Sequence, residues 1–464
     1  MKAGSHLLKI FTALLLLLVV ITGWSQKKPG LKTKNKNERL QLADEMEISI
    51  RTELLNKWYP QSVDSLYGGF LSTFTYNFLP TGSQDKMIVT QARHVWSNAV
   101  ASQLYPQTDY YKNCARQGFS FLQNVMWDKI NGGFFTLVDR KGNVKDSTGK
   151  ITYGNAFGIY ASAAWYRVSG DTNALGLARK CFWWLEKHCH DPQYKGYFQH
   201  LQPDGTPVKR TAEIPSTSDR GYKDQNTSIH LLEAFTELYA VWPDSLLKIR
   251  LQEMLWLVRD VITASKGNLV LFFKPDWTPV SFRDSTEAVI LQHRNLDHVS
   301  FGHDIETAYL MLEASKVSGL KNDTATMRIA KKMTDHALQN GWDTGRGGFY
   351  DEGYYFRDKD KITIIKNSKN WWAQAEGLNT LLLMADHFPR DSMEYFKKFK
   401  QQWQYIQKYL IDHEYGDWYE EGLDTRPERK TALKGHIWKG TYHHLRSLSN
   451  CVGRLKSKME ALSK

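Results

Sequence analysis

Ser300-Phe301-Gly302-His303-Asp304-Ile305-Glu306, followed by Thr307-Ala308-Tyr309-Leu310-Met311-Leu312-Glu313, reads as the first turn of a helix and then its body. Gly302 permits a sharp entry. His303 and Glu306 are three apart, so they share one face. Ala308, Tyr309, Leu310, Met311 and Leu312 follow in a row, too apolar for a surface helix. The stretch is therefore a buried helix with a His and a Glu at its mouth, a placement that is costly without a use. Taken alone, the pair fits a hydrogen-bonded structural couple or half of a metal site as well as it fits catalysis.

The same pattern recurs on both sides. Residues 153–168, 226–241 and 370–384 are aromatic and small-residue rich, apolar nearly all round, whereas 173–188 and 326–338 carry charge on one side only. A helix apolar all round is buried, and an amphipathic one covers it. Glycine followed by aromatics punctuates these pairs. It occurs at Tyr67-Gly68-Gly69-Phe70, Asn131-Gly132-Gly133-Phe134-Phe135, Lys195-Gly196-Tyr197-Phe198, Arg346-Gly347-Gly348-Phe349-Tyr350 and Tyr415-Gly416-Asp417-Trp418-Tyr419, and in weaker form at Lys266-Gly267-Asn268 before Leu271-Phe272-Phe273. Each reads as a short hairpin. A period of roughly 70 residues marks a repeat architecture. Six buried helices, each backed by an outer one, predict an all-α protein, a closed (α/α)6 barrel with short β-hairpin connections. No GxGxxG, P-loop or parallel-sheet alternation is present.

The 464 residues are 42% hydrophobic and 13% aromatic, enough for one large core. The formal charge is +12. Much of the visible basic clustering lies in Lys27, Lys28, Lys32, Lys34, Lys36 and Arg39, and no basic stripe stands out elsewhere, so a nucleic-acid partner is not indicated. Lys2 and Lys9, the apolar residues 10–21, and Gly23 and Ser25 before Gln26 read as a secretory signal over 1–25, too short in its apolar core for a comfortable span. A Lys/Asn-rich, disordered tether over 26–39 and a single catalytic domain over 40–464 are expected to follow. The expected location is periplasmic or secreted, with no stable membrane insertion after cleavage, and the expected state is monomeric. Cys114, Cys181, Cys189 and Cys451 form no CxxC pattern, and their spacing assigns no disulfide.

In an up-down toroid the buried helices run parallel, so their first turns meet at one pole. Those turns carry Arg93 and Trp96; Tyr153 and Asn155; Asn226 and His230; His303 and Glu306; Trp372 and Glu376; and Trp438, Tyr442 and His443. Three histidines from three helices, aimed at one pole with two glutamates and an arginine, mark a site. Histidines exchange protons near neutrality, and an arginine stabilises a developing oxyanion. The set suits proton abstraction α to a carbonyl, and Trp372, Trp438 and Tyr309 suit the apolar face of a pyranose.

The segments Gly302-His303-Asp304-Ile305-Glu306, Trp371-Trp372-Ala373-Gln374-Ala375-Glu376 and Trp438-Lys439-Gly440-Thr441-Tyr442-His443 resemble those of the N-acylglucosamine 2-epimerase superfamily, most closely its cellobiose 2-epimerase branch. Arg93-x-x-Trp96, Tyr153-Gly154-x-Ala156-Phe157 and Asn226-x-x-x-His230-x-Leu232-Glu233-Ala234 match too, so the resemblance spans nearly all of the chain after the tether. It implies an (α/α)6 barrel, no cofactor and no metal, with a small-molecule sugar as the partner. It places His303 and His443 as the acid/base pair at C2 and His230 as a helper in ring opening. Arg93 is to stabilise the enediolate, and Glu306, in the catalytic set, to bind and orient the sugar. Tyr153, Asn226, Tyr309, Trp372, Glu376 and Trp438 are to bind the sugar. Tyr309 departs from the family's usual Trp, and Asn155 from its His or Gln.

The expected reaction is epimerisation at C2 of the reducing-end sugar of a disaccharide such as cellobiose or mannobiose. Return of the proton at C1 instead would make the chain an aldose–ketose isomerase. Action on a monosaccharide, as an N-acylglucosamine 2-epimerase, uses the same parts. A glycoside or unsaturated-uronide hydrolase would rely on paired carboxylates, which this His-rich pole does not favour. A non-catalytic sugar-binding protein is the remaining alternative.

Overall fold

A helix that is apolar around its whole girth needs neighbours on every side, and the chain supplies them by ring closure. The computed structural model describes residues 31–146 and 149–463. Its twelve long helices are α1 (Leu31–Ser49), α2 (Ile88–Leu104), α3 (Tyr110–Phe121), α4 (Thr152–Ser169), α5 (Thr172–His188), α6 (Gln225–Val241), α7 (Ser245–Trp256), α8 (Phe301–Val317), α9 (Thr324–Asn340), α10 (Trp371–His387), α11 (Tyr395–Tyr409) and α12 (Tyr442–Ser463). The even-numbered helices form an inner ring in which each packs on the next and α12 returns to α2. The odd-numbered helices form the outer ring, so the molecule is an (α/α)6 barrel. Aspartates start several outer helices: Asp171, Asp244 and Asp323 accept hydrogen bonds from the first-turn amides of α5, α7 and α9.

One boundary differs from expectation. The stretch read as a tether is helical from Leu31 onward, and α1 is the outer partner of α12. Two ion pairs anchor its start: Glu38 to Lys400 at 2.6 Å and Arg39 to Asp386 at 3.5 Å. Arg39, one of the basic residues that read as solvation in sequence, is used against the neighbouring α10, and the acidic Glu38 against α11. The expected leader and residues 26–30 lie outside the described residues. Among the described residues, no helix is long and apolar enough to cross a membrane. All four cysteines are buried and free.

The glycine–aromatic punctuation forms hairpins at the pole where the inner helices begin. Each is closed by one bridge: Val63 to Phe70, Trp127 to Phe134, His190 to Tyr197, Thr263 to Leu269, Trp342 to Phe349 and Ile411 to Trp418. Short strands leading into the inner helices pair with the next hairpin, as Lys86–Met87 does with Leu137–Val138. Val299–Ser300, which leads into α8, joins a three-stranded sheet with Glu352–Tyr354 and Thr363–Lys366.

Gly302 does a different job from the one its sequence suggests. It lies within α8 rather than at a turn. A Cβ there would sit 2.7 Å from the Trp372 ring and 2.6 Å from the Ala373 methyl group. Its missing side chain lets α10 close on α8 and fixes the face of Trp372.

Candidate active site

The first turns of the inner helices converge on a cavity of about 200 Å³, lined by Arg93, Tyr153, Asn226, His230, His303, Glu306, Trp371, Trp372, Trp438 and His443. Nine of these ten are in the sequence-derived set, with Trp371 the addition. Trp438 is 45% exposed and stands at the rim. The Trp372 ring lies beside both central histidines, 4.7 Å from His303 and 5.8 Å from His443 between ring centroids.

The two histidines are held differently. His303 Nδ1 meets Ser300 Oγ at 2.8 Å. If Nδ1–H donates to that hydroxyl, the Nε2 lone pair is free for the cavity. Burial, with His230 and His298 nearby, holds this imidazole down to about 3. His443 Nδ1 meets a carboxylate oxygen of Glu376 at 2.8 Å. Burial, with Arg93 and Arg446, holds His443 well below the ordinary range. His230 Nδ1 meets Glu233 at 2.8 Å. Each imidazole is thus fixed through Nδ1.

Arg93 extends over the Phe157 and Tyr442 rings, 4.5 and 4.9 Å from their centroids, and donates to Tyr153 Oη at 3.0 Å. Among the described residues no carboxylate pairs with it, and its Nε is buried with no protein acceptor. A cation so placed is open to an anionic oxygen.

Two sequence-derived site residues lie off the cavity. Tyr309 stands one turn deeper on α8 than Glu306, where its hydroxyl accepts from Asn450 Nδ2 at 3.0 Å. Glu376 lies beneath His443. The sequence reading also passed over the residue that binds this floor together, Arg446. Its guanidinium reaches Glu233, the Tyr442 hydroxyl, Glu306 at 2.5 Å and Glu376 at 2.7 Å. The signal available in sequence was spacing, since Arg446 follows His443 by three and shares its face.

Glu306, Glu376 and His443 lie close enough together to ligate a metal. Arg446 already pairs with both carboxylates, so the place a cation would take holds a guanidinium. Burial pushes the Glu376 carboxyl up to about 8, against Arg446 and with Glu306 adding to the rise. Burial also raises Glu233, but Arg446 and His230 outweigh it and hold that carboxyl at about 2.

Comparison with known proteins gives the chain relatives over nearly its whole length. The family model of N-acylglucosamine 2-epimerase matches residues 68–447. A cellobiose 2-epimerase of Ruminococcus albus is 30% identical over 416 residues, covering 87% of this chain and 98% of its own. One from Bacteroides fragilis is 26% identical over 415 residues, covering 89% and 99%. The solved structure of cellobiose 2-epimerase from Spirochaeta thermophila superposes with a TM-score of 0.77 at 26% identity, covering 91% of this chain and 98% of that one.

Proposed function

The chain belongs to the N-acylglucosamine 2-epimerase family and is a carbohydrate epimerase, and on that premise we propose that it inverts C2 of the reducing-end sugar of a disaccharide such as cellobiose. The observation that carries the mechanism is the pair of imidazoles, His303 on α8 and His443 on α12, which line one cavity and both lie beside the Trp372 ring. The sugar opens with His230 assisting. One of the two histidines takes the C2 proton, and the electron pair moves onto the carbonyl oxygen as the enediolate forms. Arg93 is the free cation beside that oxygen. Rotation about C2–C3 turns the other face to the second histidine, which returns a proton to C2. Asn226 and Tyr153 contact sugar hydroxyls, Trp372 lies under the ring, and Trp438 at the rim stacks on the second sugar.

The test is proton NMR in D2O with cellobiose, mannobiose, mannose and N-acetylglucosamine. The C2 epimer of a disaccharide should form, with solvent deuterium at C2. A ketose as the main product would move the assignment to isomerase, and release of free monosaccharide would overturn epimerisation. The basic, apolar and small-residue pattern of residues 1–25 supports export to the periplasm or beyond. N-terminal sequencing of the mature protein should then find a start near Gln26.

A further inference from the structure

The floor of the cavity holds more negative charge than its one cation balances. Glu233, Glu306 and Glu376 come from α6, α8 and α10, each no more than 6% exposed, and Arg446 of α12 contacts all three. With every carboxyl ionised the cluster would hold three negative charges against one positive. Buried charge left uncompensated is expensive, so such a cluster takes up a proton. Two of the three carboxylates are each hydrogen-bonded to a site histidine, Glu233 to His230 and Glu376 to His443. His303 touches no carboxylate in the cluster; its Nδ1 partner is a serine hydroxyl.

We propose that Arg446 is a positioning residue: by pairing with Glu233, Glu306 and Glu376 at once, it leaves the cluster one proton, held by the Glu376–His443 pair, and sets the pH at which that pair gives it up, so that His443 rests as the acid and His303 as the base. The inference rests on the epimerase reading of the two histidines. Arg446 and the Tyr442 hydroxyl both contact Glu233, which already has His230, so that carboxylate is well satisfied. Glu376 Oε2 is buried with no partner, so its carboxyl is the poorly solvated one. The directions agree, with Glu376 pushed up to about 8 and Glu233 held at about 2. In the transfer, His443 Nε2–H protonates the enediolate at C2 while Nδ1 takes the proton of the Glu376 carboxyl. The carbon gains one proton, the imidazole stays neutral with its proton now on Nδ1, and the carboxylate left behind faces Arg446. The other charged and titratable groups facing the pair are Arg93, Tyr153, His230, His303, Tyr442 and His444. Among the described residues, Arg446 is the Lys or Arg that pairs with the Glu376 carboxylate, and Arg93 does not.

The test is a pH titration of the full-length protein labelled with 15N-histidine, run beside kcat/KM on cellobiose, for wild type, Arg446→Lys and Arg446→Gln. Removing a positive charge from beside the pair makes its proton harder to lose. The loss, near pH 8 in wild type, should move up by about 1–3 pH units in Arg446→Gln and stay close to wild type in Arg446→Lys. The alkaline limb of kcat/KM should move with it, while the acid limb, set by His303, stays in place. A fall in rate with both limbs and the His443 titration unmoved would reduce Arg446 to a structural part and overturn the proposal. If Arg446→Gln does not fold, Glu376→Gln decides instead: the transition near pH 8 should vanish, and its persistence would overturn the proposal. A titration that moves as expected in a protein that exchanges no C2 hydrogen would leave the proton placement standing and sink the epimerase reading.

Discussion

His303 and His443 do related work from different settings, one tied to a hydroxyl and the other to a carboxylate. Replacing either by Asn should keep the fold and lower kcat by roughly 10²–10⁴-fold, the scale of a positioned acid or base. The double variant should lose little more, because the two act as a unit; stopped assays with product NMR check this. Burial keeps His303 neutral down to about pH 3. A base with a lowered pKa stays unprotonated at lower pH, so the acid limb of kcat/KM should fall well below the ordinary histidine value of about 6.5. An acid limb at 6 or above would show that another group is the base. Gly302 touches no sugar in this account, yet Gly302→Ala would drive a methyl group into Trp372. Overpacking of this kind costs about 1–3 kcal/mol, and here the ring has the cavity to move into. KM should rise while the melting temperature drops only modestly. The polar residues of the pole were legible because they stand at the mouths of strongly apolar helices. Depth was not: Tyr309 is about 9 Å along the axis from His303, and the Asn450 that claims its hydroxyl lies on α12. Arg446 was missed because its meaning depends on three carboxylates from three other helices.

The inner helices share a device that explains two puzzles in the sequence. A side chain in the first turn or so of each of four of them accepts the backbone N–H of the hairpin before it: Gln91 from Phe70, Asn155 from Phe134, Asp304 from Leu269 and Gln374 from Phe349, all at 2.8 Å. Asn155, which departs from the family pattern, is therefore engaged with backbone and does not line the cavity. Asp304 sits beside His303 and invites a catalytic reading, but it faces away from the cavity. Burial pushes its carboxyl well above the usual carboxylate range, so it serves as a neutral acceptor in the place where Gln or Asn serves elsewhere. Asp304→Asn should keep kcat within about threefold, whereas Asp304→Leu, which strands the Leu269 N–H, should cost about 1–3 kcal/mol. Activity and urea midpoints of both variants separate the two roles; a catalytic collapse in a stable Asp304→Asn protein would refute the structural one. The helices and hairpins themselves were legible from period and punctuation. The start of α1 was not, because a Lys- and Asn-rich stretch looks like solvated chain, and the partners of Glu38 and Arg39, Lys400 and Asp386, come from the far end of the sequence.

Ring closure depends on how the six hairpins are joined, and buried ion pairs join most of them. Asp64, Asp128, Asp191, Asp343 and Asp412 each follow a bridge residue, and each cap their own turn with one oxygen and hold a buried lysine with the other: Lys86, Lys150, Lys223, Lys369 and Lys434. Lys223 shows the purpose, since it also donates to the Lys195 and Pro275 carbonyls at 2.8 Å and so ties two successive hairpins together. At the fourth junction the equivalent positions are Ala264 and Val299, and a cavity of about 290 Å³ lies between them. The barrel therefore closes with one apolar junction, beside the helix that carries His303. Burial raises these aspartates, but the lysines and turn amides outweigh it, so their carboxyls end below the usual value. A depressed carboxyl stabilises the fold above its unfolded pKa of about 3.9 and loses that contribution as pH falls through the lower folded value. Unfolding by acid should therefore begin below pH 4, later than isolated carboxylates would give. Removing one partner at neutral pH is the sharper test. Lys223→Met leaves Asp191 charged and buried with two carbonyls unpaired, and should cost about 3–5 kcal/mol. Adding Asp191→Asn keeps the turn acceptor but removes the stranded charge, and should recover a large part of that loss, as the neutral fourth junction implies. Urea unfolding of the two single variants and the double closes the cycle. A Lys223→Met protein as stable as wild type would mean that the pairs are tolerated passengers of the hairpins and do not join them.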